Sequence, residues 1–345
     1  MQHAKLSPSS SARWLSCTGS VKAEQAFPSS TTSYAVEGTT AHALAELCLT
    51  TNDHPTKYIG QTLEGHIVDE DMVEHIAAYC AYVKSYSGVH LYEHRFSLAK
   101  WIPDSFGTSD AVVIDEANKT AHIIDLKYGK GVSVDAEQNT QAMLYALGVI
   151  DDLGFMYEFD TVVIHIYQPR IKNYSSWQTS TKYLLEWAEW VSQRAKETQL
   201  PDAPRTPSEK ACQWCKAKAT CKALLDHTHT VVMNDFDDLT SINPDTLTDN
   251  ELRVIMDNAK LIKSWLDAVE AHIFDKLNNG KAFDGYKLVE GRSTRTWQDE
   301  QQAAIALADK VPSDKLFTQK LISPAQAEKL LKNDKELFAS LVTKS

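Results

Sequence analysis

The 345-residue chain carries 35 Lys and Arg against 46 Asp and Glu, a net charge of -11, with 43% hydrophobic and 23% charged residues. That balance belongs to a folded globular protein and excludes a disordered, collagen-like or low-complexity chain. No apolar run approaches the roughly 18 residues of a membrane span, and the opening Met1-Gln2-His3-Ala4-Lys5 lacks the apolar core of a signal peptide. The expectation is a cytoplasmic protein with no membrane partner.

In chain order, a short helix is expected over 9–19, ending at Gly19, then helices over 36–50 and 69–86, the latter with a clear apolar face. The pattern then turns to β-rich runs at 89–98, 107–115, 120–127 and 161–168, bounded by Gly, Pro or Asn-Lys turns. Residues 135–150, between the last two runs, read as a helix. A three-strand meander, a crossing helix and a further strand imply an α/β fold with a mixed central sheet flanked by helices. A helix over 180–198 leads into a Pro-rich connector, 200–207. A long helix is expected over 248–278, then a hairpin over 283–297 turning at Glu290-Gly291-Arg292, and short helices close the chain. The expected division is one domain over 1–230 and a mostly helical C-terminal region with a β-hairpin over 231–345.

Charge and cysteine are unevenly spread. Residues 165–224 hold ten Lys and Arg and five Asp and Glu, so a basic segment lies inside an acidic chain. That is either a solvated helix face or a local groove for a polyanion. Of six cysteines, Cys48 and Cys80 lie in apolar helical patterns and read as buried thiols, while Cys212, Cys215 and Cys221 form C-x2-C-x5-C. Three thiolates so close suit one metal centre, and the remaining candidate for a fourth ligand is Cys17.

The chemistry concentrates in two β runs. Gly107-Thr108-Ser109-Asp110 opens one, and the next ends in Asp125-Leu126-Lys127. Asp125 and Lys127 are two apart, so their side chains share a strand face. Asp110 on the neighbouring strand can approach Asp125. Two carboxylates with the Leu126 carbonyl make a hard-cation site suited to Mg2+ or Mn2+. Lys127 beside it would favour hydroxide over water and stabilise charge developing on a phosphate. Gln141 and Tyr145 are i and i+4, so they share a helix face. By spacing alone, the helix simply packs its Tyr on the sheet.

With these residues in order, the chain resembles the RecB-type branch of the PD-(D/E)XK nucleases that carry a four-cysteine iron–sulfur cluster. Such nucleases include AddB-type helicase–nuclease subunits and CRISPR-associated adaptation nucleases. It is also similar to a phage and prophage family sharing the E-G-T-x-A-H, D-L-K-Y-G-K-G and C-x-W-C-K-A-K-x-x-C stretches. The group's G-x-x-x-H matches Gly38 to His42, its acidic second motif Gly107 to Asp110, its D-x-K Asp125 to Lys127, and its Q-x-x-x-Y Gln141 to Tyr145. One cysteine before the core (Cys17) and three after it (Cys212, Cys215, Cys221) match as well, so the resemblance covers residues 9–225.

The resemblance implies a restriction-endonuclease-like sheet, a catalytic set of Asp110, Asp125, Lys127, Gln141 and Tyr145, and His42 as a further metal ligand with Asp110, Asp125 and Leu126. Glu37 and Glu93 are left as acids outside the ligand set. The four cysteines would hold a [4Fe–4S] cluster, with Zn2+ the alternative, clipping both ends of the domain together. The implied activity is Mg2+- or Mn2+-dependent hydrolysis of DNA, single-stranded or with a free end, most simply by an exonuclease. Its setting would be phage recombination, replication or repair in the host cytoplasm, with recombination or replication proteins as partners. Arg170, Lys172, Lys216 and Lys218 would guide the strand, and Trp177 or Trp214 would stack on bases. The rivals are a non-catalytic DNA-binding or scaffold protein on the same fold, and a zinc-dependent interaction module whose D-x-K is an ion pair.

Overall fold

The computed structural model describes residues 4–28, 33–236, 249–289 and 305–307. Its centre is a five-stranded mixed sheet, β1 (Val89–Ser97), β2 (Phe106–Asp115), β3 (Thr120–Leu126), β4 (Thr161–Gln168) and β5 (Asn173–Ser180), with strands in chain order across it. Only β3 and β4 run parallel. A parallel pair needs a crossover, whereas antiparallel neighbours can be joined by a tight turn. The β2–β3 turn is of the tight kind: the Asp115 carboxylate accepts from the backbone and side-chain amides of Asn118, and Lys119 takes a φ of 49°.

Helices cover both faces. The chain enters through α1 (Ser11–Ser16), α2 (Ser33–Thr51) and α3 (Glu70–Lys84), crosses from β3 to β4 through α4 (Thr140–Leu153), and leaves β5 through α5 (Thr181–Glu197). Capping explains where two of them start. Asp69 accepts from the Met72 amide ahead of α3, and Asn139 from the Ala142 amide ahead of α4, each satisfying a backbone donor with no partner inside the helix. Alternation along the strands sorts the core into two layers. Val112, Ile114, Ile123, Val162 and Ile164 pack with α4, α5 and Trp14 of α1. Ala111, Val113, Ile124, Leu126 and Tyr167 pack with α2 and α3, where Cys48 and Cys80 are buried.

Several elements differ from the sequence reading. The helix expected over 9–19 is shorter, α1 ending at Ser16, and a further four-residue turn of helix at Ser20–Ala23 follows Gly19. A Cβ on Gly19 would stand 2.4 Å from the Ala203 carbonyl, so only glycine lets the two segments meet. Strand β5 is absent from the sequence reading, because Asn, Ser, Gln and Thr outnumber its Tyr174 and Trp177; as an outer strand it needs only one half-buried face.

The compact unit that holds the sheet runs Met1–Asp284, beyond the expected boundary at 230, and the remainder is Gly285–Ser345. Two helices, α6 (Lys222–Phe236) and α7 (Asp249–Asn278), belong to the first unit. Leu261 and Trp265 of α7 pack with Cys17, Ala211, Cys212 and Leu224, and Lys218 Nζ donates to Ser264 Oγ at 2.9 Å. The expected hairpin turn at 290–292, with Arg292, and the final helices lie outside the described residues. Among the described residues no helix is long and apolar enough to cross a membrane.

Tight packing of α4 on β2 is concentrated at Gly107, where an added Cβ would lie 2.7 Å from the Tyr145 ring. Gly107→Ala should therefore cost about 1 to 3 kcal/mol by overpacking, read by chemical denaturation, and should displace Tyr145.

Candidate metal centre

The ladder between β2 and β3 ends at the pair Ala111 and Ile124. The next residues in register are Asp110 and Asp125, and there the strands part. β3 continues beside β4, with the Lys127 amide donating to the Tyr167 carbonyl at 2.9 Å. The freed Leu126 amide donates instead to Asp110 Oδ2 at 2.7 Å. Within a strand, a residue's N–H and C=O project toward the same neighbour. The Leu126 carbonyl therefore also faces the Asp110 side.

Asp125 and Lys127 share a face as their spacing requires, with Nζ 2.8 Å from Asp125 Oδ2. That oxygen is buried, so the ammonium meets it away from solvent. Gln141, from the first turn of α4, ties the pair together. Its Oε1 accepts from Lys127 Nζ at 3.0 Å, and its Nε2 faces Asp125 Oδ1 at 3.3 Å and the Tyr145 hydroxyl at 2.9 Å. Tyr145 is nearly buried against Gly107, so its ring packs on the sheet while its hydroxyl anchors Gln141.

On the other side of Asp110 stands His42 of α2, its Nδ1 3.1 Å from Asp110 Oδ1 and 3.9 Å from Glu93 Oε1. Ligand atoms of His42, Glu93 and Asp110 all lie within 4.8 Å of one another, and among the described residues this is the only such group. Glu93, set aside at first, is thus brought in, whereas Asp125 stays with Lys127 and Gln141. Glu93 lies opposite Asp110 on β1, at the one position where the ladder between Val89–Ser97 and Phe106–Ile114 is interrupted, and its φ is 42°. The only local signal was an acid within a β run. Recognising its partner required the strand register.

The charges are strongly coupled. Burial opposes charge on His42, but Asp110, with Asp125 and Glu93 beyond it, lifts its pKa to about 9. Burial and then repulsion by Asp110 push Glu93 up to about 7. Burial holds Asp125 above the usual carboxylate range in spite of Lys127. Burial acts the same way on Asp110, but His42, Lys127 and the Leu126 amide bring it below that range. Lys127 is kept charged, since Asp125 and Asp110 outweigh its burial. Three carboxylates, an imidazole and a backbone carbonyl form an oxygen-dominated donor set, which fits Mg2+ or Mn2+.

Cys17, Cys212, Cys215 and Cys221 line one small cavity together with Arg205 and Lys218. Cys17 ends α1 and its sulfur accepts from the Thr206 amide at 3.3 Å, while the Gly19 amide donates to the Pro204 carbonyl at 2.9 Å. A tetrahedral Zn2+ with bonds of about 2.3 Å would draw its sulfurs to about 3.8 Å apart. Four thiols lining one cavity can converge on either zinc or an iron–sulfur cluster. Burial pushes the Cys48 and Cys80 thiols up to about 11 and about 12, and it raises Cys212 and Cys215 too, the latter to about 11.

The expected basic guide is largely committed elsewhere. Arg170 is buried, paired with Glu37 at 2.8 Å and stacked on Tyr128, and Lys218 is bonded to the Gln213 carbonyl and Ser264. Trp177 packs against the core, whereas Trp214 is exposed.

A family model described as a protein of unknown function, DUF2800, matches residues 3–345. The chain belongs to that family. A solved structure described as the crystal structure of SSO0001 aligns with a TM-score of 0.23 and 11% identity, over 52% of this chain and 85% of that one. A likeness so distant carries no weight for this DUF2800 member.

The raised Glu93 carries a sign. Its contribution to stability is present below its unfolded value of 4.5 and is lost as pH rises through about 7. In EDTA, Glu93→Gln should be more stable than wild type by about 2 to 3 kcal/mol at a pH of about 8, and the two should converge at about pH 4. Denaturant titration at the two pH values measures this.

Proposed function

We propose that this protein is a metal-dependent deoxyribonuclease of the PD-(D/E)XK type, on a restriction-endonuclease-like sheet whose ends are clipped by a four-cysteine iron–sulfur cluster. The observation that carries the reading is the meeting of Asp110, Asp125, Lys127 and Gln141 where β2 and β3 part. The mixed sheet with a single helical crossover into its parallel pair supports it. Four cysteines lining one cavity support a shared metal group, for which the resemblance implies [4Fe–4S] with Zn2+ the alternative.

His42, Asp110, Asp125 and the Leu126 carbonyl would hold Mg2+ or Mn2+. When bound, the ion supplies Lewis-acid polarisation of the phosphodiester and makes water a stronger nucleophile. Lys127 keeps its proton in this acidic setting and offers an ammonium to charge developing on the phosphate oxygens. Gln141 fixes Lys127 through one end of its amide and meets Asp125 with the other, which limits the freedom of both. Tyr145 acts on the reaction through Gln141. The substrate is DNA, single-stranded or with a free end, cut by exonuclease action. The setting of phage recombination, replication or repair rests on the resemblance.

Incubation with end-labelled single- and double-stranded DNA, in Mg2+, Mn2+ or EDTA, tests the activity. Asp125→Asn and Lys127→Gln should each lower cleavage by about 10^2 to 10^3-fold while DNA affinity stays within about twofold. Variants that cut at the wild-type rate would exclude this site, and a wild type that binds DNA without cutting it would favour the scaffold reading.

The cluster makes a separate prediction. Cys17→Ser should lose most of the iron and the visible thiolate-to-iron absorption, and should lower the unfolding midpoint, because metal binding adds directly to folding stability. Cys48→Ser and Cys80→Ser should keep the iron and cost about 1 to 3 kcal/mol each. Iron analysis and denaturation of the three variants decide it.

A further inference from the structure

We propose that Glu93 is a ligand of the cation, and that His42, Glu93 and Asp110 together supply more of the chain's metal affinity than Asp125 does. The proposal rests on the nuclease reading for the presence of a cation. It adds to that reading a residue outside every matched motif and a ranking of the ligands.

Geometry separates the two halves of the site. His42, Glu93 and Asp110 bring one nitrogen and two carboxylate oxygens within 4.8 Å of one another, and Asp125 is not part of that group. Asp110 Oδ2 is engaged by the Leu126 amide, while its Oδ1 lies beside His42. Asp125 meets Lys127 through one oxygen and Gln141 through the other. An ammonium 2.8 Å from Asp125 competes directly with a metal for that carboxylate, and it repels a second cation placed there. Among the described residues no lysine or arginine forms an ion pair with Glu93 or Asp110; their partner is His42, which can bind a metal through a deprotonated ring nitrogen.

Glu93 and Asp110 also come together at the gap in the β1–β2 ladder, a proximity of like charges that is unfavourable without a cation. A divalent cation shared between them turns that repulsion into attraction. An oxygen-rich set with one imidazole is within the range that Mn2+ accepts.

Direct Mn2+ binding to the full chain, followed by electron paramagnetic resonance of the free ion, tests the ranking without reference to cleavage. Glu93→Gln preserves size and should weaken Mn2+ affinity at least about tenfold, as should His42→Ala. Asp125→Asn should weaken it less than about threefold. Glu46, an exposed acid whose charge reaches Glu93 but which lies outside the ligand group, serves as the control for a general field effect. Glu46→Gln should stay within about twofold of wild type. Mn2+ should also raise the unfolding midpoint of wild type but not of Glu93→Gln.

Glu93→Gln binding within twofold of wild type would overturn the proposal. So would Asp125→Asn weakening the affinity more than Glu93→Gln does, or Glu46→Gln weakening it as much. Cleavage, measured separately, distinguishes the two readings. Binding through Glu93 without any cutting of DNA would remove the nuclease reading and leave the ligand in place. Cutting by wild type alongside undiminished binding by Glu93→Gln would remove the ligand alone.

Discussion

The candidate site depends on one hydrogen bond, from the Leu126 amide to the Asp110 carboxylate. Where β2 and β3 stop pairing, each strand leaves a backbone donor that must find a partner or bear a desolvation cost. Asp110 fills that vacancy with one oxygen and keeps the other for His42. The same contact holds Asp110 level with Asp125, so two acids meet at a strand end with little side-chain freedom. Their charges are then balanced on opposite sides, by His42 from α2 and by Lys127 from the strand itself.

The second constraint acts far along the chain. Residues 17 and 221 line the same cavity, and around it the backbone is joined at several points: Gly19 to Pro204, Thr206 to Cys17, and Lys216 to Glu24. Arg194 of α5 reaches back to the carbonyls of Leu15 and Ser16. The N-terminal segment is thereby held against α4 and α5, where Trp14 completes the core beneath the sheet. Helix α7 closes this region from the far side through Leu261 and Trp265, so the long helix is part of the sheet-bearing unit.

Much of this was legible in the sequence wherever the relation was local. Asp125 and Lys127 share a face because strands have a period of two, and Gln141 and Tyr145 do so because helices have a period near four. Relations set by tertiary register were not legible. Glu93 faces Asp110 only through the pairing of β1 with β2, and no short-range pattern announces it. Arg170 reads as a free cation until Glu37, 133 positions upstream, is found beside it. Strand β5 escaped because its Asn and Ser residues read as a loop around Tyr174 and Trp177, and pairing with β4 overrides that weak preference.

The meeting of Cys17 with Cys221 has a consequence for how the chain is made. A ribosome that has delivered α1, the sheet and α4 has not yet delivered the second half of the clasp. Until the segment from Arg194 to Thr206 emerges, the N-terminal helix can dock on α4 but has no tether at its far end. Closing a ring of roughly 200 residues carries an entropic cost that grows only with the logarithm of its length, so the delay is set by synthesis more than by search. The nascent chain therefore passes through an interval in which every strand of the sheet has been delivered while the N-terminal segment is still untethered at its far end.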